Sequence, residues 1–521
     1  MVMHQSYADA WEKLERLTLK PKNDDHAKMI GKAHSTPNII YILADDMGYG
    51  DLSCLNPESR IKTTHLDRIA REGQCYTDAH STSAVCTPSR YSILTGRYNW
   101  RSTLKEGVLF GYDGPLIEPE RMTVASLLRQ QGYTTACIGK WHLGWDWPLL
   151  SGGDREAIDF SKPIKNGPIN MGFDRFFGIC ASLDMPPYVY IDQDRPTAIP
   201  DRSVLATEGK GFWRAGPTAP DFRHEEVMDR FIDESIRFME QSTHDHKPFF
   251  IYLPLAAPHT PILPSARFQG QSGTNAYGDF CLEVDDAVGR IDAALERLGI
   301  SDDTLIIFTS DNGCSPMADF KELAAHQHNP SYIFRGHKAD IYEGGHRIPL
   351  VMRWPRVIPP GSVVDQTVCL SDLLATCAEI SGVDLPNNAG EDSVSQLALM
   401  RGERVEHATR EATVHHSING SFSIRQAQWK LELCAGSGGW SFPRPGPECE
   451  GLPPMQLYNL EEDISERHNL IDEYPDVAER LTGLLNSYIE KGRSTPGDPV
   501  PNTGTPYWPQ LWWIQKNQPH A

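Results

Sequence analysis

The sequence predicts an α/β fold: a large mixed, mostly parallel sheet flanked by helices, followed by a smaller α+β unit carrying an antiparallel sheet. Two observations carry the first part. Short continuous runs of β-branched and aromatic residues, Asn38–Leu43, Phe249–Leu253 and Thr304–Thr309, read as strands buried on both faces. Amphipathic helices lie between them, clearest where Val284, Val288, Ile291, Leu295 and Leu298 step by fours and threes to a stop at Gly299. A third observation carries the second part. Beyond about residue 402 the pattern turns to alternation, in Ser421–Arg425 and Trp429–Leu433, as strands with one wet face show.

Taken in order, residues 1–36 form an extension in which Trp11, Leu14 and Leu17 lie at helical spacing before a linker-like Lys20–Asp25. Residues 37–402 form the main domain, with further helices expected at about 64–72, 122–131 and 371–382. Residues 403–521 form the closing domain. Its helix near 474–491 puts Val477, Leu481, Leu484 and Leu485 on one side, and Trp508, Trp512 and Trp513 read as a tail packed on the core, with a sugar platform as the alternative.

With 40% hydrophobic and 23% charged residues, the 521-residue chain is an ordinary globular composition. A net charge of −20 and the lack of any Lys/Arg-rich block argue against nucleic-acid binding. No apolar run approaches the 18 or so residues of a membrane span. The N-terminal stretch shows no apolar signal-peptide core, so the expectation is a cytoplasmic protein, with export after signal removal as the alternative. The 11 cysteines are scattered, without zinc spacing. Most read as buried small hydrophobes, while Cys434 and Cys449 flank a Gly/Pro-rich loop and are candidates for a disulfide.

Chemistry enters at strand ends. Asp45-Asp46 follows the first strand and Asp311-Asn312 the third, at the sheet end where ligand sites are built. Four oxygen ligands suit a hard cation, Ca²⁺ or Mg²⁺; ordinary turn chemistry is the alternative for each pair. The segment Cys86-Thr87-Pro88-Ser89-Arg90 then runs into Leu94-Thr95-Gly96. Together they resemble the signature of the type I sulfatases of the alkaline phosphatase superfamily. The rest of that family's pattern follows in order: Asp45–Asp51, Gly139–Gly144 with Lys140 and His142, Pro258-His259, Asp311-Asn312-Gly313, and Lys338 ahead of Glu343–Pro349. Gly178–Asp184 is similar to a segment that supplies a serine, here Ser182.

The resemblance implies an alkaline-phosphatase-like fold and hydrolysis of sulfate esters. It implies that a separate maturation enzyme oxidises Cys86 to formylglycine, reading Cys86, Pro88 and Arg90. It also implies a Ca²⁺ ion, in preference to Mg²⁺, on Asp45, Asp46, Asp311, Asn312 and the oxidised Cys86. In this reading Arg90 and Lys140 support the aldehyde hydrate, His142 takes a proton during sulfate expulsion, and His259 with Lys338 protonates the leaving alcohol. The residue types suit the task. A sulfate ester is anionic with a poor leaving group, so it needs cations, a covalent nucleophile that can release sulfate, and a general acid. His337 and His346 sit beside the motif without matching it and read as structural or peripheral.

Two rivals stand beside this reading. A phosphatase or phosphodiesterase of the same superfamily would use Ser or Thr and two zinc ions; a silent glycan-binding relative would lack one of the motif residues. The expected substrate is a sulfated saccharide, with a small aryl sulfate as the alternative. The loops that would read the leaving group, 184–188 and 190–225, do not name it.

Overall fold

The computed structural model describes residues 36–405 and 408–515. The helical spacing of Trp11, Leu14 and Leu17 lies outside the described residues. Ten strands form the main sheet: β1 (Asn38–Ala44), β2 (Gln74–Tyr76), β3 (Thr134–Lys140), β4 (Arg175–Ile179), β5 (Ile191–Asp192), β6 (Arg195–Pro196), β7 (Phe249–Pro254), β8 (Thr304–Ser310), β9 (Leu350–Arg353) and β10 (Ser362–Val364). Their order is β10-β2-β9-β8-β1-β7-β3-β4-β5-β6. The middle of the sheet, β8-β1-β7-β3-β4, is all parallel, and β9 runs against it.

The three apolar runs of the sequence are β1, β7 and β8, lying side by side and buried along almost their whole length. Helices cover both faces: α1 (Thr64–Glu72), α2 (Cys86–Thr95), α3 (Val124–Gln130), α4 (Val227–His244), α5 (Ala276–Leu298) and α6 (Leu373–Ile380). α5 starts earlier than its apolar stepping suggests. The Asn275 side chain caps it by accepting from the backbone N–H of Tyr277 and Gly278, so the cap rather than the periodicity sets the start.

The smaller sheet is antiparallel throughout: β11 (Thr413–His416), β12 (Phe422–Gln426), β13 (Trp429–Glu432) and β14 (Gln456–Asn459). α7 (Pro475–Lys491) packs on it, with Leu481 and Leu485 in a second core that includes Phe422, Leu431, Trp508 and Trp513. The aromatic tail is therefore packing. β11 also grips the main domain: the His416 amide donates to the Thr82 carbonyl (2.9 Å) and the Ala84 amide to the His416 carbonyl (2.8 Å).

The disulfide candidate is corrected. Cys434 and Cys449 are both free, like the other nine cysteines. Each thiol instead donates to a carbonyl of its own loop, Cys434 to Gly436 (3.2 Å) and Cys449 to Arg444 (3.3 Å). Among the described residues, no helix is long and apolar enough to cross a membrane.

Candidate active site

Parallel strands deliver their carboxyl ends to one place, and the motif residues sit there. Asp45 and Asp46 follow β1, Lys140 ends β3, His259 follows β7 and Asp311 follows β8. Cys86 is the first residue of α2, entirely buried, and Gly96 stops that helix in the left-handed conformation (φ 63°). Asp46 (φ 68°) and His142 (φ 55°) hold left-handed backbones that cost non-glycine residues energy, a strain that concentrates at working sites. Gly313 must be glycine: a Cβ there would lie 1.9 Å from the Gly344 carbonyl oxygen. This close approach docks the Glu343–His346 turn behind Asn312.

The polar groups interlock. Lys140 Nζ donates to Asp45 (2.6 Å), and Lys338 Nζ donates to Asp46 (2.7 Å). Arg90 reaches Asp311 through Nε (3.0 Å) and Nη2 (2.7 Å), and the Lys140 carbonyl through Nη1 (3.1 Å). Asn312 Nδ2 donates to Asp46 Oδ1 (2.7 Å). Ligand atoms of Asp45, Asp46, Cys86 and His259 all lie within 4.8 Å of one another. So the structure brings together Asp45, Asp46, Cys86, Arg90, Lys140, His259, Asp311, Asn312 and Lys338.

His142 and His259 are oriented by backbone carbonyls. His142 Nε2 donates to Leu109 O (2.7 Å), which leaves Nδ1 as a buried acceptor with no partner. His259 Nδ1 donates to Thr260 O (2.5 Å), leaving Nε2 3.6 Å from Asp46 Oδ2. The His142 amide donates to Cys180 O (2.9 Å), tying in the segment that carries Ser182, whose buried Oγ is also unpartnered.

Charges compete in this buried space. Burial alone would raise the Asp45 carboxyl, but Lys140, His259, Arg90 and Lys338 outweigh it and hold the group well below the usual carboxylate range. Burial and the Asp45 charge push Asp311 up. Burial pushes the Cys86 thiol up to about 12, against Lys140 and Lys338, so the encoded side chain is a neutral thiol at pH 7. Burial, then Lys140 and Arg90, hold His142 neutral. Burial opposes the Lys338 charge, yet Asp46 and its neighbours raise the group and keep it an ammonium.

A divalent cation fits this donor set. Among the described residues, Asp45 Oδ1 and Asn312 Oδ1 are buried with no hydrogen-bond partner, Asp45 Oδ1 having only Arg90 Nη2 at 3.5 Å, so both have acceptor capacity left for a cation. Asp45, Asp46 and Asp311 are matched one for one by Arg90, Lys140 and Lys338, so the pocket itself carries no excess positive charge for an anion.

The sequence profile of the sulfatase family matches residues 37–383. The chain belongs to the sulfatase family. A second profile, N-sulphoglucosamine sulphohydrolase C-terminal, matches residues 336–436. The sulfatase is 31% identical over 506 residues to N-acetylgalactosamine-6-O-sulfatase of Bacteroides thetaiotaomicron, covering 88% of this chain and 94% of that one. It is also 31% identical to human arylsulfatase A, covering 84% and 83% of the two chains. A solved structure from work on glycosaminoglycan metabolism by Bacteroides thetaiotaomicron superposes with a TM-score of 0.77 at 31% identity, over 87% of this chain and 99% of that one. The phosphonate monoester hydrolase of Agrobacterium radiobacter shares the fold (TM-score 0.56) at 20% identity over 87% and 95% of the chains. The fold thus serves more than one chemistry, and family membership makes this enzyme a sulfuric ester hydrolase of the arylsulfatase type, acting on sulfated substrates.

Sequence reasoning missed what holds the motif in place. Asp51 accepts from the Gly48 amide (2.7 Å) and the Tyr277 hydroxyl (2.5 Å), and pairs with His328 (2.8 Å), bracing the Asp45–Asp51 loop. Leu109, in a loop without periodicity, orients His142 through its carbonyl, and its own amide donates to Thr87 Oγ1 (3.2 Å). No spacing signal marks either arrangement. His346, read as structural, lies buried against His80 and His415; His337 packs near Phe320 beside Lys338.

Proposed function

We propose that this sulfatase cleaves sulfate esters of carbohydrates, using Ca²⁺ at Asp45, Asp46, Asp311 and Asn312 and a formylglycine made from Cys86 by a separate maturation enzyme. The observation that carries the proposal is the pair of orphaned oxygens, Asp45 Oδ1 and Asn312 Oδ1, set beside a buried, neutral Cys86 at a helix N-terminus. When present, the two groups supply a hydroxyl nucleophile and a positive charge that polarises a sulfate oxygen.

The chain's own residues do the rest. Lys140, Lys338 and Arg90 are each fixed in place by a carboxylate, and a cation bound to those carboxylates would leave their charge available to an anionic ester. His142 offers Nδ1 as a proton acceptor, because its Nε2–H is committed to Leu109 O. His259, whose Nδ1–H is committed to Thr260 O, presents Nε2 next to Lys338's partner Asp46 and would protonate a departing alcohol from there as the doubly protonated imidazolium. Ser182 Oγ is free to bond a substrate oxygen.

The relative named N-acetylgalactosamine-6-O-sulfatase supports a 6-O-sulfated hexosamine as the first substrate to test. Sulfate release should be measured across a panel of sulfated monosaccharides and 4-nitrophenyl sulfate, with Ca²⁺ and with a chelator. Release from a saccharide that the chelator suppresses is expected. Saccharide turnover that survives complete chelation would contradict the metal assignment.

A further inference from the structure

Arg214 is a cation near the pocket that none of the chemistry above uses. Its guanidinium lies 5.6 Å from the ring centre of Phe110 and 5.2 Å from that of Phe212. Nη1 donates to the Asp184 carboxylate and, at 3.3 Å, to the Asp184 carbonyl, and the Arg214 amide donates to the same carbonyl at 3.0 Å. Among the described residues its Nε and Nη2 make no hydrogen bond, and the side chain is 41% exposed.

Both segments that hold Arg214 also hold His142. Phe110 follows Leu109, whose carbonyl accepts from His142 Nε2, while Asp184 lies four residues beyond Cys180, whose carbonyl accepts from the His142 amide. Arg214 therefore stands on the rim beside His142 and Ser182. Lys210, on the same loop, marks the other side: its carbonyl accepts from Ile262 (2.7 Å), three residues past His259. Lys210 is neutralised by both Glu322 and Asp319, whereas Arg214 has one carboxylate and keeps donors to spare.

A guanidinium pinned along one edge and covered by two rings has little freedom left to lose on binding. Its open edge presents in-plane N–H groups, which match hydroxyl or carboxylate oxygens on a sugar ring and have nothing to meet on a plain aryl ring. Phe110, 45% exposed, adds an apolar surface for the C–H face of a pyranose. We infer that Arg214 is a specificity-determining residue of this sulfatase: it donates to oxygen substituents of the leaving sugar next to the scissile sulfate, and Asp184 positions it. The inference rests on the carbohydrate reading above.

The test compares kcat/KM of Arg214→Met with that of the parent enzyme on N-acetylgalactosamine 6-sulfate, within a sulfated monosaccharide panel, and on 4-nitrophenyl sulfate. A lost hydrogen bond from a charged donor predicts a fall of about 10- to 100-fold on the sugar, mostly in KM. The aryl ester should change by less than about threefold, which also reports that the variant folds. Arg214→Lys should recover part of the loss, and Asp184→Ala should lose sugar selectivity in the same direction. Equal losses on both substrates, or undiminished sugar turnover by Arg214→Met, would overturn the assignment. A parent enzyme that cleaves the aryl ester but no sugar would overturn the carbohydrate reading together with it.

Discussion

Two buried clusters in this sulfatase draw on the same residue types and come to opposite ends. The first is the pocket at the ends of β1, β3, β7 and β8. The second lies where the small sheet meets the main domain and gathers His80, His346, His415, Lys430, Glu343, Glu466 and Asp78, all buried. There His80 meets Asp78 (2.8 Å) and His346 (3.0 Å), and Lys430 reaches His346 (3.1 Å) and Glu466 (2.6 Å). His415 bonds Ser81 O (2.9 Å) and Thr413 Oγ1 (3.1 Å) and stacks on His346 at 3.9 Å. Every ring nitrogen of the three histidines has a partner. In the pocket, by contrast, Asp45 Oδ1, Asn312 Oδ1, His142 Nδ1 and Ser182 Oγ have no hydrogen-bond partner among the described residues, Asp45 Oδ1 lying 3.5 Å from Arg90 Nη2. The contrast lies in the histidines: those of the second cluster are engaged through both ring nitrogens, although Glu343 Oε1 there, like Asp45 Oδ1 in the pocket, is ion-paired without a hydrogen bond.

The largest break between the two should come at Cys86. Cys86→Ala is expected to abolish turnover with almost no change in melting temperature, because the residue serves chemistry rather than packing. Mass spectrometry of the peptide around Cys86 from active protein should show an aldehyde in place of the thiol; activity from protein holding only cysteine would contradict this.

Next in size are His259→Ala and Lys338→Ala, expected to cost about 10²–10⁴-fold on alkyl sulfates and far less on nitrophenyl sulfate, whose leaving group needs no proton. Equal losses on both esters would assign the two residues to sulfate binding instead. Lys430→Met should do the reverse. Leaving Glu343, Glu432 and Glu466 without their cation predicts a stability loss of about 3–5 kcal/mol by denaturant unfolding, with kcat per folded molecule retained.

The smallest effect is a pH slope. Burial lowers the pKa of His80, His346 and His415, and takes His416 down to about 3. The unfolded chain binds these protons below about 6.5 while the folded one resists them, so stability is full above that pH and declines as pH falls toward 3. Thermal melts at steps from pH 7 to 5 should show the decline; a flat melting temperature would contradict it.

Much of this was legible in the sequence, for local reasons. β1, β7 and β8 announced themselves because strands buried on both faces need unbroken apolar runs, and Thr64–Glu72 because an amphipathic helix repeats within its own span. The expected motif residues came from resemblance to the type I sulfatase pattern rather than from periodicity; only the acidic pairs Asp45-Asp46 and Asp311-Asn312 were also marked by their place after parallel strands. The short strands β2, β9 and β10 were not: three or four residues are too few to show a period. Nor was the role of Arg214 or Leu109, since loops meet through contacts that no interval in sequence encodes. The change of pattern near residue 402 marked a change of sheet, yet β11 bonds straight back into Ser81–Ala84, just ahead of Cys86.

The most direct test of the contrast is a crystal structure of the enzyme with Ca²⁺, the ion located by its anomalous scattering. The account predicts a single strong peak ligated by Asp45, Asp46, Asp311 and Asn312, and none at His80, His346 and His415. An ion among the three histidines, or a bound ion from which any three of the four pocket side chains turn away, would contradict it.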